Sequence, residues 1–502
     1  MIGTSALVIL AISSSITLIG LALPLLRSQA QHPGTFAKWM GVGLLFMIIL
    51  SACSNGSTST STPIITPLAL TATATSQQGT TPTATTTPAN NTDWPTYHRD
   101  NQHTGYIANT PDPHSLTKAW SAQLDGAVYA EPLVVGNRVI VATEGDTLYA
   151  LDPAHGTVIW HTNVGTRVSQ SDLPCGDIFP LGITGTPVYD PATGLVYAVA
   201  EVTGPAHILV GVDVTNGRVK VRRVVDTDGM DPTAHQQRAA LTLANSMIYI
   251  PYGGLDGDCS DYIGRIVASR ADGQGPLLVY RVPTPREGGM WATPGASTDA
   301  SGNLYISVGN GAITSGSWDH SDSVLKLSPT LQLLDAFAPS SWADENAGDV
   351  DLGSQGAVLL PNNFIFIAGK SGKGYILHAT ALGGIGGQVD EQDVCRSFGG
   401  AATVDSTIFV PCLDGVRQVS VDANGKMHPG WQASGNLLGS PIVGGHTVYS
   451  HSNDTLYALN MDTGQVVASL NVGQMNRFAT PTLAGNSILM GTLTGITAIS
   501  IV

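Results

Sequence analysis

Charge is what this chain has least of. Only 12% of its 502 residues are Asp, Glu, Lys or Arg, where a soluble domain usually carries about a quarter. Basic residues are the scarcer sign: 22 Lys and Arg stand against 37 Asp and Glu, a formal charge of −15, with no run of Lys or Arg. A phosphate backbone needs a basic face, so a nucleic-acid partner is excluded. Cysteine is rare too, at five, and no CxxC or Cys/His cluster has the spacing of a zinc finger. Gly-x-Ser-x-Gly, HExxH and phosphate-loop motifs are missing, which leaves hydrolase and nucleotide readings without support. What abounds is glycine, at 58, together with Thr, Ser, Val and Ile. That mixture suits short strands joined by tight turns.

Long apolar runs are confined to the start of the chain. Ala6 to Leu26 is long enough to span a bilayer. Arg27 and Lys38 follow, and a shorter run, Met40 to Leu50, ends in Leu50-Ser51-Ala52-Cys53. That ending resembles the lipobox of bacterial lipoproteins, where small residues admit the peptidase and the Cys thiol is alkylated by diacylglycerol. The other reading is a second membrane helix with an incidental cysteine. Cys53 sits where apolarity stops and a polar tether starts, and the run is short for a span, as in a signal segment. Ala6–Leu26 is then surplus to the signal.

Residues 54–92 are rich in Ser, Thr and Pro and cannot bury a core. The expected division is therefore 1–52 signal and membrane segment, 53–92 lipidated Cys53 and tether, and 93–502 folded body. That body is expected outside the cytoplasm, as a monomer held to the membrane by the lipid. The stalk carries no core, so removing residues 1–110 should leave the body folded. Four cysteines remain there: Cys175, Cys259, Cys395 and Cys412. An even number in an exported body favours disulfides, and three pairings are open.

From residue 117 the chain repeats itself. Eight segments share one pattern, a turn and then alternating aliphatic or aromatic residues: Asn137–Ala142, Leu195–Val199, Met247–Ile250, Asn303–Ser307, Phe364–Ile367, Thr407–Val410, Thr447–Ser450 and Ser487–Met490. Their spacing of roughly 40 to 60 residues is that of a four-stranded blade with variable loops. A second strand follows, clearest in Asp146-Thr147-Leu148-Tyr149-Ala150-Leu151-Asp152 and Asp454-Thr455-Leu456-Tyr457-Ala458-Leu459-Asn460. Turns carrying Gly156 and Gly464 lead on to outer strands at Val158 and Val466, glycine supplying the positive φ. X-Pro steps at Pro132, Pro187, Pro294, Pro441 and Pro481 mark innermost strands, where Pro leaves the ladder intact. The last unit lacks an outer strand, and the unassigned Lys118–Leu124 fits the vacancy. The expectation is an all-β, eight-bladed propeller of four-stranded antiparallel blades, closed by an N-terminal strand.

The unit L-Y-A-L-D…G…I-W resembles the tryptophan-docking repeat of the pyrroloquinoline-quinone (PQQ) dehydrogenases and of their non-enzymatic propeller relatives. Asp93–Gly105 is similar to the segment that opens many propellers of that superfamily, and His98 and His103 in it are expected to pin this strap. The resemblance covers 93–502 and is specific for fold, weak for activity.

A PQQ dehydrogenase implies a Trp under the cofactor, a vicinal disulfide above it, a calcium held by Glu and Asn, a basic residue on the quinone and an Asp base. The resemblance assigns Trp291 to the stacking position, Asn310 to calcium, Asp349 to the base and Lys370 to the quinone. The adjacent cysteines and the calcium Glu are missing. Cys175 and Cys259 occupy two of the family's cofactor-facing positions and are expected to bond to each other across the cofactor's entry, leaving Cys395 to pair with Cys412.

The residues also carry plainer readings. Trp291 suits a blade core, Lys370 and Lys373 suit turns, and Asp319-His320-Ser321-Asp322 suits part of a metal site or, more plainly, a hydrogen-bonded loop. Asp344, Glu345, Asp349 and Asp351 suit a solvated loop or a calcium site. The first reading is thus a surface-anchored, non-catalytic propeller that binds a protein partner or small ligand on its loop face, without a cofactor. The alternative is a divergent PQQ- and calcium-dependent dehydrogenase of alcohols or sugars.

Overall fold

The computed structural model describes residues 93–435 and 437–502. The expected signal segment, Cys53 and the tether lie outside the described residues. No helix within them is long and apolar enough to cross a membrane.

The described residues form eight mainly antiparallel sheets, each a blade. Every repeat read from the sequence is the second strand of one: Val139–Thr143, Leu195–Val202, Met247–Gly254, Leu304–Val308, Phe364–Ala368, Thr407–Cys412, Thr447–His451 and Ser487–Thr492. These strands are almost wholly buried because their residues face neighbouring blades on both sides. Blades 1, 2, 7 and 8 begin their innermost strands directly after an X-Pro step, at Leu133, Val188, Ile442 and Thr482.

Blade 8 closes the ring. Its order runs Leu116–Gln123, Gly495–Ile501, Ser487–Thr492, Thr482–Ala484, so the N-terminal strand supplies the outer edge that the C-terminus lacks. Leu116 pairs with Ile501 and Gln123 with Gly495, antiparallel. The expected closing strand is thereby confirmed within two residues.

Tryptophans lock one blade to the next. Trp120 of blade 8 donates its indole N–H to the Pro153 carbonyl in blade 1 at 2.9 Å, Trp160 of blade 1 to Val214 in blade 2 at 3.0 Å, and Trp431 of blade 6 to Met461 in blade 7 at 2.9 Å. Each ring lies on a turn glycine, Gly156, Gly217 or Gly464, where a Cβ would overlap it.

The strap departs from expectation in how much it holds. Trp94 and Tyr97 are fully buried. Backbone bonds join Trp94 to Val134, Pro95 to Tyr189, Asn101 to Thr298, Thr104 to Thr403 and Gly105 to Val443, reaching blades 1, 2, 4, 6 and 7. Asn101 also donates to the Leu243 carbonyl in blade 3 at 2.9 Å. Residues 93–110 therefore belong to the core, and the idea that a deletion to residue 110 spares the fold is corrected here. His98 and His103 are buried within the strap, and burial pushes both imidazoles down to about 3, so they are neutral.

Both expected disulfides are present, Cys175–Cys259 and Cys395–Cys412. Disulfides persist in oxidising compartments, which places the domain outside the cytoplasm.

Candidate functional site

The connections that lead toward the inner strands converge on the central axis. Trp291 arrives between blades 3 and 4, Phe398 between 5 and 6, Arg477 and Phe478 between 7 and 8, and Arg238 on the way into blade 3. The Arg238 guanidinium stacks 3.8 Å from the Phe478 ring centre and stands 5.4 Å from that of Trp291. Arg477 lies 4.6 Å from Phe398 and 4.5 Å from Phe478. Phe478 meets Trp291 edge-on, centroids 6.4 Å apart. Stacking on aromatic faces orients a guanidinium and leaves its N–H edge free for other partners. Burial lowers Arg238 to about 10, against the opposing pull of Asp177.

Above this layer opens a funnel of about 720 Å³. All four residues assigned by resemblance, Trp291, Asn310, Asp349 and Lys370, line it. Lys370 follows the second strand of blade 5 and Asn310 that of blade 4, while Asp349 and Asp351 follow the short helix Trp342–Ala347. The Lys370 ammonium pairs with Asp349 at 2.8 Å and Asp351 at 2.5 Å. The other Asp351 oxygen accepts the Asn310 backbone N–H at 2.7 Å.

Of the two carboxylates, the Asp351 side chain is 3% exposed and that of Asp349 67%. Asp351 is thus the buried partner, with burial pushing its carboxyl up against the pull of Lys370. Burial works against the Lys370 charge, but Asp351 and Asp349 outweigh it and hold the ammonium protonated. Sequence reasoning placed Asp351 only in an acidic patch, although it is better buried than Asp349.

Calcium needs several oxygen ligands at once. Among the described residues no group of three or more His, Cys, Asp or Glu is placed to hold a metal ion. Asp351 and Lys370 are bonded to each other rather than open to a metal or a quinone. The residues do not fit a calcium–quinone pair as they stand. Asp319 accepts from the Ser321 hydroxyl at 2.5 Å and Asp322 from the Leu352 N–H at 2.8 Å, the hydrogen-bonded loop expected as the plainer reading.

The Cys175–Cys259 bond sits in a small apolar cluster with Val168, Ile178, Leu181 and Leu255. Neither cysteine lines the funnel, but their neighbours Asp177, Asp256 and Asp258 do. The expectation that the bond crosses the entry is corrected: it fixes one wall of the mouth.

Arg238, Arg477, Phe398 and Phe478 were missed. A signal for Phe478 lay in the repeat register. Trp291 and Phe478 each stand two residues ahead of a Thr-Pro step, at Thr293-Pro294 and Thr480-Pro481, and Tyr129 stands two ahead of Glu131-Pro132. Tyr129 and Phe478 share a void beneath the floor with Tyr97 and Arg238, so this register faces the axis.

Comparison with known proteins bears on the whole ring. Residues 112–250 match the family described as outer membrane protein assembly factor BamB. Among solved structures, a europium-containing methanol dehydrogenase superposes with a TM-score of 0.65 at 14% identity, covering 82% of this chain and 98% of its own. The quinohemoprotein alcohol dehydrogenase ADHIIG of Pseudomonas putida HK5 gives 0.63 at 14% identity, covering 82% and 80%. BamB from Moraxella catarrhalis gives 0.56 at 13%, covering 77% and 100%. The fold is that of the PQQ-like β-propellers. Enzymes and an assembly factor share it, so a PQQ-like ring does not by itself decide activity. No curated protein sequence matches the chain.

Proposed function

We propose that this PQQ-like propeller is a non-catalytic binding protein whose loop-face funnel takes a small ligand, on a domain anchored by lipid at Cys53. One contrast carries the reading. Lys370 and Asp349, which the resemblance assigns to the quinone and to the base, are paired with each other, and Lys370 is paired with Asp351 as well. Arg238 and Arg477 in the same funnel make no hydrogen bond or ion pair among the described residues and face the space. Unsatisfied cations in a concave, aromatic-floored cavity are the mark of a binding site. The similarity of residues 112–250 to an assembly factor supports a protein partner as well.

The rival, a dehydrogenase using PQQ and calcium, draws on the position of Trp291, Asn310, Asp349 and Lys370 around one cavity. Dye-linked oxidation of alcohols and sugars separates the two. With PQQ and calcium added, no turnover is expected above the protein-free blank; turnover abolished by Lys370→Met and Asp349→Asn would establish the enzyme. For the anchor, Cys53→Ser should release the protein from membranes. Retention of that variant would shift the anchor to Ala6–Leu26.

A further inference from the structure

The funnel is electrically divided. Of its three cations, Lys370 is neutralised by Asp349 and Asp351. Arg238 and Arg477 stay together on the floor. Two other arginines also have a guanidinium without a hydrogen-bond partner among the described residues, Arg218 and Arg281, and both are exposed to water, whereas Arg238 and Arg477 are half-buried. No nitrogen of Arg238 or Arg477 is among the buried side-chain atoms left without a partner, so their donor edges face the open funnel, where an acceptor can reach them. The carboxylates of Asp177 and Asp256 act on both arginines through space, without an ion pair among the described residues. They stand on the wall fixed by the Cys175–Cys259 bond, Asp177 two residues after one cysteine and Asp256 three before the other.

We propose that the funnel binds a small organic carboxylate bearing several hydroxyl groups, the chemistry of a sugar acid. The carboxylate is received by Arg238 and Arg477, and the hydroxyls by Asp177, Asp256, Asn453 and Asn476. This names the ligand class for the small-ligand reading above and rests on it. Planar guanidinium edges match a carboxylate better than a point charge would. The acidic wall argues for a single negative charge, because a second or third would face Asp177, Asp256 and Asp258 across a narrow space. Asp177 and Asp256 on that wall offer acceptors, and Asn453 and Asn476 from the blade 7 connections offer amides, which together suit hydroxyl groups. The volume, about 720 Å³, accommodates a ligand of that size.

Calorimetry on the full chain in detergent tests this, with glucuronate as probe and glucose, inorganic phosphate and PQQ with calcium as separate arms. Glucuronate should bind at least about tenfold more tightly than glucose, and Arg477→Gln or Arg238→Gln should remove that difference, the loss expected of a charge-assisted partner. Arg477→Lys should recover part of it. A melting curve for each variant checks folding, and Arg477→Gln carries the test if Arg238→Gln does not fold. Glucose binding as tightly as glucuronate would overturn the carboxylate while sparing the small-ligand reading. Phosphate displacing glucuronate at equal concentration would overturn the hydroxylated body and leave a bare oxyanion site. Binding of PQQ with calcium, with glucuronate and glucose both silent, would overturn the inference and the reading beneath it together.

Discussion

The two ends of the central channel are built from the same repeats and finished in opposite ways. At one end the strap lays Trp94 and Tyr97 across the inner strands and bonds part of what it buries, while both ring nitrogens of His98 and one of His103 have no partner among the described residues. The Trp94 indole donates to Glu131 at 2.9 Å, and the other Glu131 oxygen accepts the His98 N–H at 2.8 Å. At the other end Arg238 and Arg477 sit over aromatic rings, and their guanidiniums make no hydrogen bond among the described residues. Between the two lies a void of about 10 Å³, bounded by Tyr97, Thr186, Thr293 and Thr480 below and by Arg238 and Phe478 above. That is room for about one water molecule. A ring covered by a buried strap at one end and left open over two arginines at the other has a closed base and a receptive mouth.

The strongest way to break this contrast is to remove the base. Deleting residues 1–112 should leave the ring aggregating or melting far below a chain that starts at Asp93, since losing Trp94 alone costs about 3–5 kcal/mol. Circular dichroism melts of the two truncations decide it, and equal melting points would show the strap to be ornamental.

At the mouth, the Lys370–Asp351 pair should behave as structure. Lys370→Met leaves a buried carboxylate unpaired, a loss of about 3–5 kcal/mol in such pairs, and Asp351→Asn should melt higher than Lys370→Met. Urea titration measures both.

The blade joints should be less sensitive. Gly156→Ala places a methyl group in the Trp120 ring and should cost about 1–3 kcal/mol. Gly194→Ala shares the positive φ but has open space around it, so it should cost less than that, about 1 kcal/mol. A gap between the two in thermal melts isolates the docking contact from backbone strain.

The smallest effect is a slope. Burial raises the Glu144 carboxyl to about 8, although it accepts bonds from the Gly182 N–H and the Thr184 hydroxyl. A carboxyl whose pKa is higher folded than unfolded gives stability that is fully present below the unfolded value of about 4.3. That stability is lost as pH rises through the folded value. Glu144→Gln should therefore gain on the parent as pH rises from 5 to 8, read as a narrowing difference in melting temperature. A constant difference would mean that Glu144 is charged throughout.

The ring was legible in the sequence and the chemistry was not, for a physical reason. Strand alternation repeats eight times, so one ambiguous unit such as Thr407–Val410 is corrected by its seven counterparts. Trp120, Gly156 and the other docking residues lie at fixed offsets within the repeat and could be read the same way. Site residues occur once. Asp349 and Asp351 are two apart on a connection, and only the fold decides that Asp351 turns inward to Lys370. Arg238 and Arg477 are ordinary loop arginines until the ring closes and sets them against one phenylalanine.

That closing strand also sets a timetable. Leu116–Gln123 cannot find its partner until Gly495–Ile501 has been made, so an early segment must wait through the synthesis of nearly all the rest. Contacts this distant along the chain slow folding and leave unpaired edges exposed in the meantime. A chain cut short near its end would lose more than its last blade, because Leu116–Gln123, made early, would never be covered. Export of the chain unfolded, with assembly after both ends have crossed, is the route such a ring favours.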